Sequence, residues 1–117
     1  MKNKNIIESI VCALRGIKDG FKRERNFKFY GKVAAIFFCI NLLIKASYIE
    51  YGLYVVSSFL VFITEMINSA FERLIDYAHQ EVNDELKYIK DIAAGAVLLA
   101  GFMFFIVEGL VIFSHII

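Results

Sequence analysis

Three long blocks of the chain, at about residues 31–48, 53–76 and 92–116, are apolar on nearly every face and are separated by short polar stretches. Each approaches the ~20 residues that cross ~30 Å of hydrocarbon as a helix rising 1.5 Å per residue. With no proline anywhere in the chain to interrupt them, these blocks predict three transmembrane helices. Residues 5–28 follow a different pattern. Ile6, Ile7, Ile10, Leu14, Ile17 and Phe21 recur at helical spacing, with Arg15, Lys18, Lys22, Arg23 and Arg25 between them. A basic amphipathic surface helix is predicted there, its aliphatic side toward acyl chains and its cations toward anionic headgroups. Gly20 is read as a point where its end relaxes. The expected architecture is therefore an all-α integral membrane protein, a single domain over residues 1–117 made of an N-terminal surface helix and three spans.

The apolar pattern breaks at one end of the second block. On a helix turning about 100° per residue, Glu65, Asn68, Ser69, Glu72 and Asp76 share a face, while Met66, Ile67, Phe71, Leu74 and Ile75 lie elsewhere. Each ionisable group at membrane depth costs about 2.5–3.5 kcal/mol even on an insertion scale, so this stripe is the first candidate for function. Isolated polar residues in the other blocks read more plainly. Asn41 is expected to join helices rather than bind a ligand. Glu108, about 27 Å along the third helix from Lys90, is expected near the opposite membrane face as an interfacial, snorkelling or hydrogen-bonded acid. The Ala93-Ala94-Gly95-Ala96 run lets another backbone come close. No function attaches to Lys45 or Glu50, and Tyr48, Tyr51 and Tyr54 form an interfacial aromatic belt.

Composition agrees with the pattern, at 59% apolar residues and a mean hydropathy of +0.62. The net charge of +1 conceals an asymmetry. Nine of the thirteen Lys and Arg lie in residues 1–32, and Arg73, Lys87 and Lys90 flank the second connection. By the positive-inside rule the N-terminus and the 77–90 connection are cytoplasmic, with the C-terminus outside. No cleavable leader is expected, since the first long apolar block starts only after some thirty mixed residues. Cys12 and Cys39 lack metal or redox spacing and read as small apolar fillers. The basic residues are assigned to headgroups, and no nucleic-acid partner is expected.

Candidate chemistry gathers at the cytoplasmic level: Glu24 after the surface helix, the stripe on the second span, and Lys90 with Asp91 opening the third. No Ser-His or Cys-His pair supports nucleophilic hydrolysis. His79 lacks a metal-ligand partner and suits a solvated or nucleotide-edge position. Clustered carboxylates call for a cation, and hard oxygen donors favour Mg²⁺, which bridges one or two carboxylates to phosphates. Lys90 suits a polyphosphate, and a deeper carboxylate can take a proton from a lipid alcohol. These are the needs of phosphoryl transfer, in which positioning and charge neutralisation carry most of the catalysis. The chain has neither a Walker loop nor a protein-kinase signature. A competing reading from another class is a non-enzymatic scaffold or small channel subunit whose acids line a cation path.

Glu24-Arg25-Asn26-Phe27, Glu65-Met66-Ile67-Asn68-Ser69-Ala70-Phe71-Glu72 with Asp76, and Lys90-Asp91-Ile92-Ala93-Ala94-Gly95-Ala96-Val97 together resemble the signature blocks of the prokaryotic diacylglycerol kinase family. The first and last are most similar to its Gram-positive undecaprenol kinase branch. The resemblance covers roughly residues 5–115 and implies a homotrimer with active sites composed between subunits. It also implies an ATP- and Mg²⁺-dependent kinase of undecaprenol or diacylglycerol. Glu65 then matches the general base for the lipid hydroxyl, and Glu24 and Glu72 the metal-binding acids. Asn68, Lys90 and Asp91 match residues lining the phosphate and nucleotide site, Glu81 and Asn83 its loop contacts, and Asp76 an acid near the nucleotide. Two departures stand out: Val82-Asn83-Asp84-Glu85 where the branch usually has His and Pro, and Phe71 for a usual Ile.

Overall fold

The computed structural model describes residues 5–78, 81 and 83–117; His79 and Val82 lie outside them. Four helices follow one another: α1 (Ile6–Arg23), α2 (Arg25–Leu43), α3 (Tyr48–Ala78) and α4 (Asp84–Ile116). Among the described residues every element is a helix, and α2, α3 and α4 are each long and apolar enough to cross a membrane.

Local chemistry sets the helix ends. The Asn5 side chain accepts from the Glu8 N–H at 2.8 Å and opens α1, while Lys22 and Arg23 complement the dipole of its last turn. One extended residue, Glu24, separates α1 from α2, so the helix expected over 5–28 breaks there. The cause is Phe27, only 2% exposed. Its ring meets Phe21 edge to face with centroids 5.5 Å apart and Phe62 at 6.5 Å. Burying Phe27 turns the chain from the surface helix into the first span.

Gly20 does not loosen α1, which runs through it to Arg23. It makes room for that ring, since a Cβ at position 20 would lie 2.7 Å from Phe27 Cε2. Gly20→Ala is therefore expected to destabilise the corner by about 1–2 kcal/mol through overpacking, despite the gain in helix propensity. Gly16→Ala, with open space around the new methyl, is expected to be neutral or stabilising. Hydrogen exchange of the α1 amides in detergent micelles checks the pair, and equal protection in both variants would refute it.

α2 stops at Leu43, short of the expected boundary at 48. Lys45 adopts φ 57°, and the N–H groups of Lys45 and Ala46 reach Leu42 O and Asn41 O at 3.2 and 3.0 Å. These are the two bonds of a Schellman end, here with lysine at the left-handed position that usually takes glycine. Ser47 and Glu50 then open α3 as a reciprocal capping box. The Glu50 N–H donates to Ser47 Oγ at 3.2 Å, and the Ser47 N–H to Glu50 Oε1 at 2.8 Å. Glu50 also pairs with His115 Nε2 at 2.9 Å, which ties the start of α3 to the end of α4.

α3 packs along α4, and α2 leans on both. Val61, Ala100 and Phe104 form the core between them, covered by Tyr30, Val33, Phe37 and Tyr54. Polar side chains are buried while large apolar ones face outward. Asn41, Ser57, Ser58, Glu65, Asn68 and Glu108 are all under 9% exposed, whereas Ile36, Leu43, Val56, Phe59, Leu98 and Leu99 exceed half. That inversion fits helices solvated by lipid, where outward apolar surface costs nothing and polar groups must find partners inside. Asn41 joins α2 to α4 as expected, its Nδ2 donating to Glu108 Oε1 at 2.7 Å.

Candidate active site

α3 has 31 residues, about 46 Å at 1.5 Å per residue, so it outruns a bilayer core of about 30 Å. Its polar stripe is graded along that length. Glu65, Asn68 and Ser69 are buried at 3%, 6% and 9% exposure, whereas Glu72 and Asp76 are exposed.

Glu65 is held from two sides. Ser69 Oγ, one turn along the same helix, donates to Oε1 at 3.3 Å, and Asn26 Nδ2, from the first turn of α2, donates to the same oxygen at 3.2 Å. Asn68 Nδ2 donates to Glu72 Oε1 at 3.0 Å, while Asn68 Oδ1 is buried with no hydrogen-bond partner among the described residues. Asn26, Tyr30, Glu65, Asn68 and Glu72 line one groove of about 460 Å³, whose other wall is α4 from Ala94 to Phe105. Small residues along α4 leave this space, since a larger side chain at Ala94 or Gly101 would narrow it. The groove has a polar end with two carboxylates and two amides, and an apolar remainder.

Other expected site residues are placed differently. Glu24 lies in a separate cleft with Asp19, Arg23, Met66 and Arg73, where Arg73 Nε binds its Oε1 at 2.6 Å. Lys90 Nζ reaches Asp76 Oδ1 at 2.7 Å, bridging α4 to the end of α3. Asp91 instead pairs with Lys87 one turn back at 2.8 Å. Asn83 caps α4, accepting from the Leu86 N–H at 2.8 Å, so its side-chain oxygen is committed to the fold. Glu81 is exposed in the connection.

One chain thus brings together Glu65, Asn68 and Glu72, and separately Asp76 with Lys90. It does not join Glu24 to Glu72 in one cleft. Among the described residues no three His, Cys, Asp or Glu side chains are close enough to hold a metal ion. Two partners went unassigned in the sequence. Asn26 stands in a signature block without a role, and Arg73 shows no local sign of its link to Glu24.

The donor set suits a hard cation with a phosphate ligand. In the groove the Glu72 carboxylate and Asn68 Oδ1, which has no partner among the described residues, are oxygen donors, and Mg²⁺ needs only one or two protein carboxylates when waters and phosphate complete its shell.

Comparison with known proteins bears on this arrangement. Residues 11–113 match the family model described as prokaryotic diacylglycerol kinase. A diacylglycerol kinase of Synechocystis is 33% identical over 106 residues, covering 90% of this chain and 61% of the relative, so the chain spans under two thirds of that protein. An undecaprenol kinase of Bacillus subtilis is also 33% identical over 106 residues, covering 91% of this chain and 85% of the relative. A diacylglycerol kinase of Helicobacter pylori is 29% identical over 98 residues, 82% of this chain and 75% of the relative.

Proposed function

Since the chain belongs to the prokaryotic diacylglycerol kinase family, a family of membrane lipid kinases, we propose that it transfers the γ-phosphoryl group of ATP to undecaprenol. The observation that carries this reading is the groove beside Glu65. It shares Tyr30, Gly101 and Phe105 with a second groove walled by Phe29, Val33, Val61, Phe62 and Phe104. An apolar path therefore leads away from the buried carboxylate, and Ser58 on that path already donates to Val55 O. Such a wall suits a long isoprenoid, which has nothing but its terminal hydroxyl to hydrogen-bond. Diacylglycerol carries two ester groups that gain nothing there.

In the proposed step Glu65 takes the proton of the lipid hydroxyl as that oxygen attacks the γ-phosphorus. The bond from γ-phosphorus to the bridging oxygen breaks, and ADP leaves with the electron pair. Glu24 and Glu72 would hold Mg²⁺, which would offset phosphate charge. Lys90 would exchange Asp76 for phosphate oxygens, with Asp91, Asn68 and Glu81 around the nucleotide and Asn83 contributing through the helix end that it caps. The charge asymmetry supports an N-terminus and active site on the cytoplasmic side and a C-terminus outside. A homotrimer with active sites composed between subunits is what the family resemblance implies.

The acceptor is tested by competition. Purified protein given both lipids in one bilayer is expected to show a kcat/KM for undecaprenol at least about tenfold above that for diacylglycerol, a ratio that a few apolar contacts can supply. The names of the cyanobacterial and Helicobacter relatives favour diacylglycerol, and a preference for it would overturn the assignment.

A further inference from the structure

The two donors on Glu65 differ in what they accomplish. Ser69 is four residues along the same helix, so its bond moves with α3 and fixes nothing relative to another element. Asn26 lies 39 positions away and reaches in from α2. Its backbone is anchored by its neighbour, because Phe27 is buried under Gly20 between the rings of Phe21 and Phe62. The corner between α1 and α2 therefore holds the Asn26 amide in place.

Both donors act on Oε1, and Oε2 receives neither. A carboxylate with two donors on one oxygen cannot rotate to average its two faces without breaking both bonds. Its second oxygen is thereby held in one orientation relative to α2, and Glu65 lines the groove. The chemistry at position 26 fits that task. Arg23, Arg25 and Lys28 surround it in sequence, yet the side chain that reaches Glu65 is the neutral one. A cation there would form an ion pair and weaken Glu65 as a base, and an acid would repel it. An amide orients the carboxylate without cancelling its charge.

We propose that Asn26 is a positioning residue for phosphoryl transfer: its amide clamps Glu65 Oε1 so that Oε2 meets the lipid hydroxyl proton. This rests on the reading of Glu65 as the general base. The contact is invisible to helical periodicity because it joins two helices.

Steady-state kinetics of the full-length protein in a lipid bilayer test it, with undecaprenol and ATP varied in turn. Asn26→Ala is expected to lower kcat roughly tenfold to a hundredfold, the scale on which misplacing a reacting group acts, with both KM values within about twofold. Asn26→Asp keeps the side-chain shape but exchanges the donor for a carboxylate that repels Glu65, so it should lose at least as much kcat. In a Glu65→Gln background, Asn26→Ala should cost nothing further, since the group that it orients no longer accepts a proton. Wild-type kcat in both Asn26 variants beside an inactive Glu65→Gln overturns the inference alone. So does a loss confined to KM, or an equal loss in the Glu65→Gln background. Full turnover in Glu65→Gln is a distinct result, which removes the base and with it the clamp.

Discussion

Glu65→Gln is expected to lower kcat by about 10² to 10⁴, the usual span for losing a positioned general base, while KM for ATP changes little. The substitution isolates chemistry from structure. Glutamine has the same shape, and its carbonyl oxygen can accept from Asn26 Nδ2 and Ser69 Oγ as Glu65 Oε1 does at 3.2 and 3.3 Å. What it cannot do is take a proton. Because Glu65 is 3% exposed, bulk water is badly placed to replace it. A neutral amide also costs less to bury than a carboxylate does, so the variant should be no less stable than the wild type. An inactive protein of undiminished stability is the signature of a catalytic carboxylate rather than a structural one. Turnover of radiolabelled ATP with lipid, alongside a denaturant titration, measures both quantities. Activity within a few-fold of wild type would return Glu65 to a structural role.

How much of this was legible beforehand depends on distance along the chain. The three spans were visible because apolar runs of about 20 residues have few other uses, and the polar stripe because Glu65, Asn68, Ser69, Glu72 and Asp76 obey one helical period. Ser47-Tyr48-Ile49-Glu50 is equally local, and its capping box could have been read from Ser and Glu at that spacing. The contacts that define the site are not local. Asn26 with Glu65, Arg73 with Glu24 and Asn41 with Glu108 span 39, 49 and 67 positions. No propensity or period encodes which amide meets which acid; that follows from how α2, α3 and α4 pack. Asn83 shows the reverse case, since its resemblance to a nucleotide contact and its local suitability as a helix cap coincide on one side chain. The need for glycine at position 20 is likewise not local, because the ring that would meet its Cβ lies across the corner in the next helix.

The pair far from the stripe carries the second large effect, and it acts on stability rather than turnover. Asn41 and Glu108 are each 1% exposed. Asn41 Nδ2 donates both to Glu108 Oε1 at 2.7 Å and to Phe37 O at 2.8 Å, while Asn41 Oδ1 and Glu108 Oε2 have no partner among the described residues. The two single deletions are therefore unequal. Glu108→Met leaves Asn41 its bond to Phe37 O and should cost about 1 kcal/mol. Asn41→Leu strips Glu108 of its donor in a site closed to water, and should cost about 2–3 kcal/mol, the range for a buried polar group left unpaired beside a charged one. Replacing both partners by apolar side chains removes the need they create for each other, so Asn41→Leu with Glu108→Met should be less destabilised than Asn41→Leu alone. Unfolding of the four proteins in mixed micelles gives the cycle directly. Additive losses would mean that the two side chains contribute separately to the packing of α2 on α4. A double variant that recovers stability would show that Asn41 is retained chiefly to satisfy Glu108.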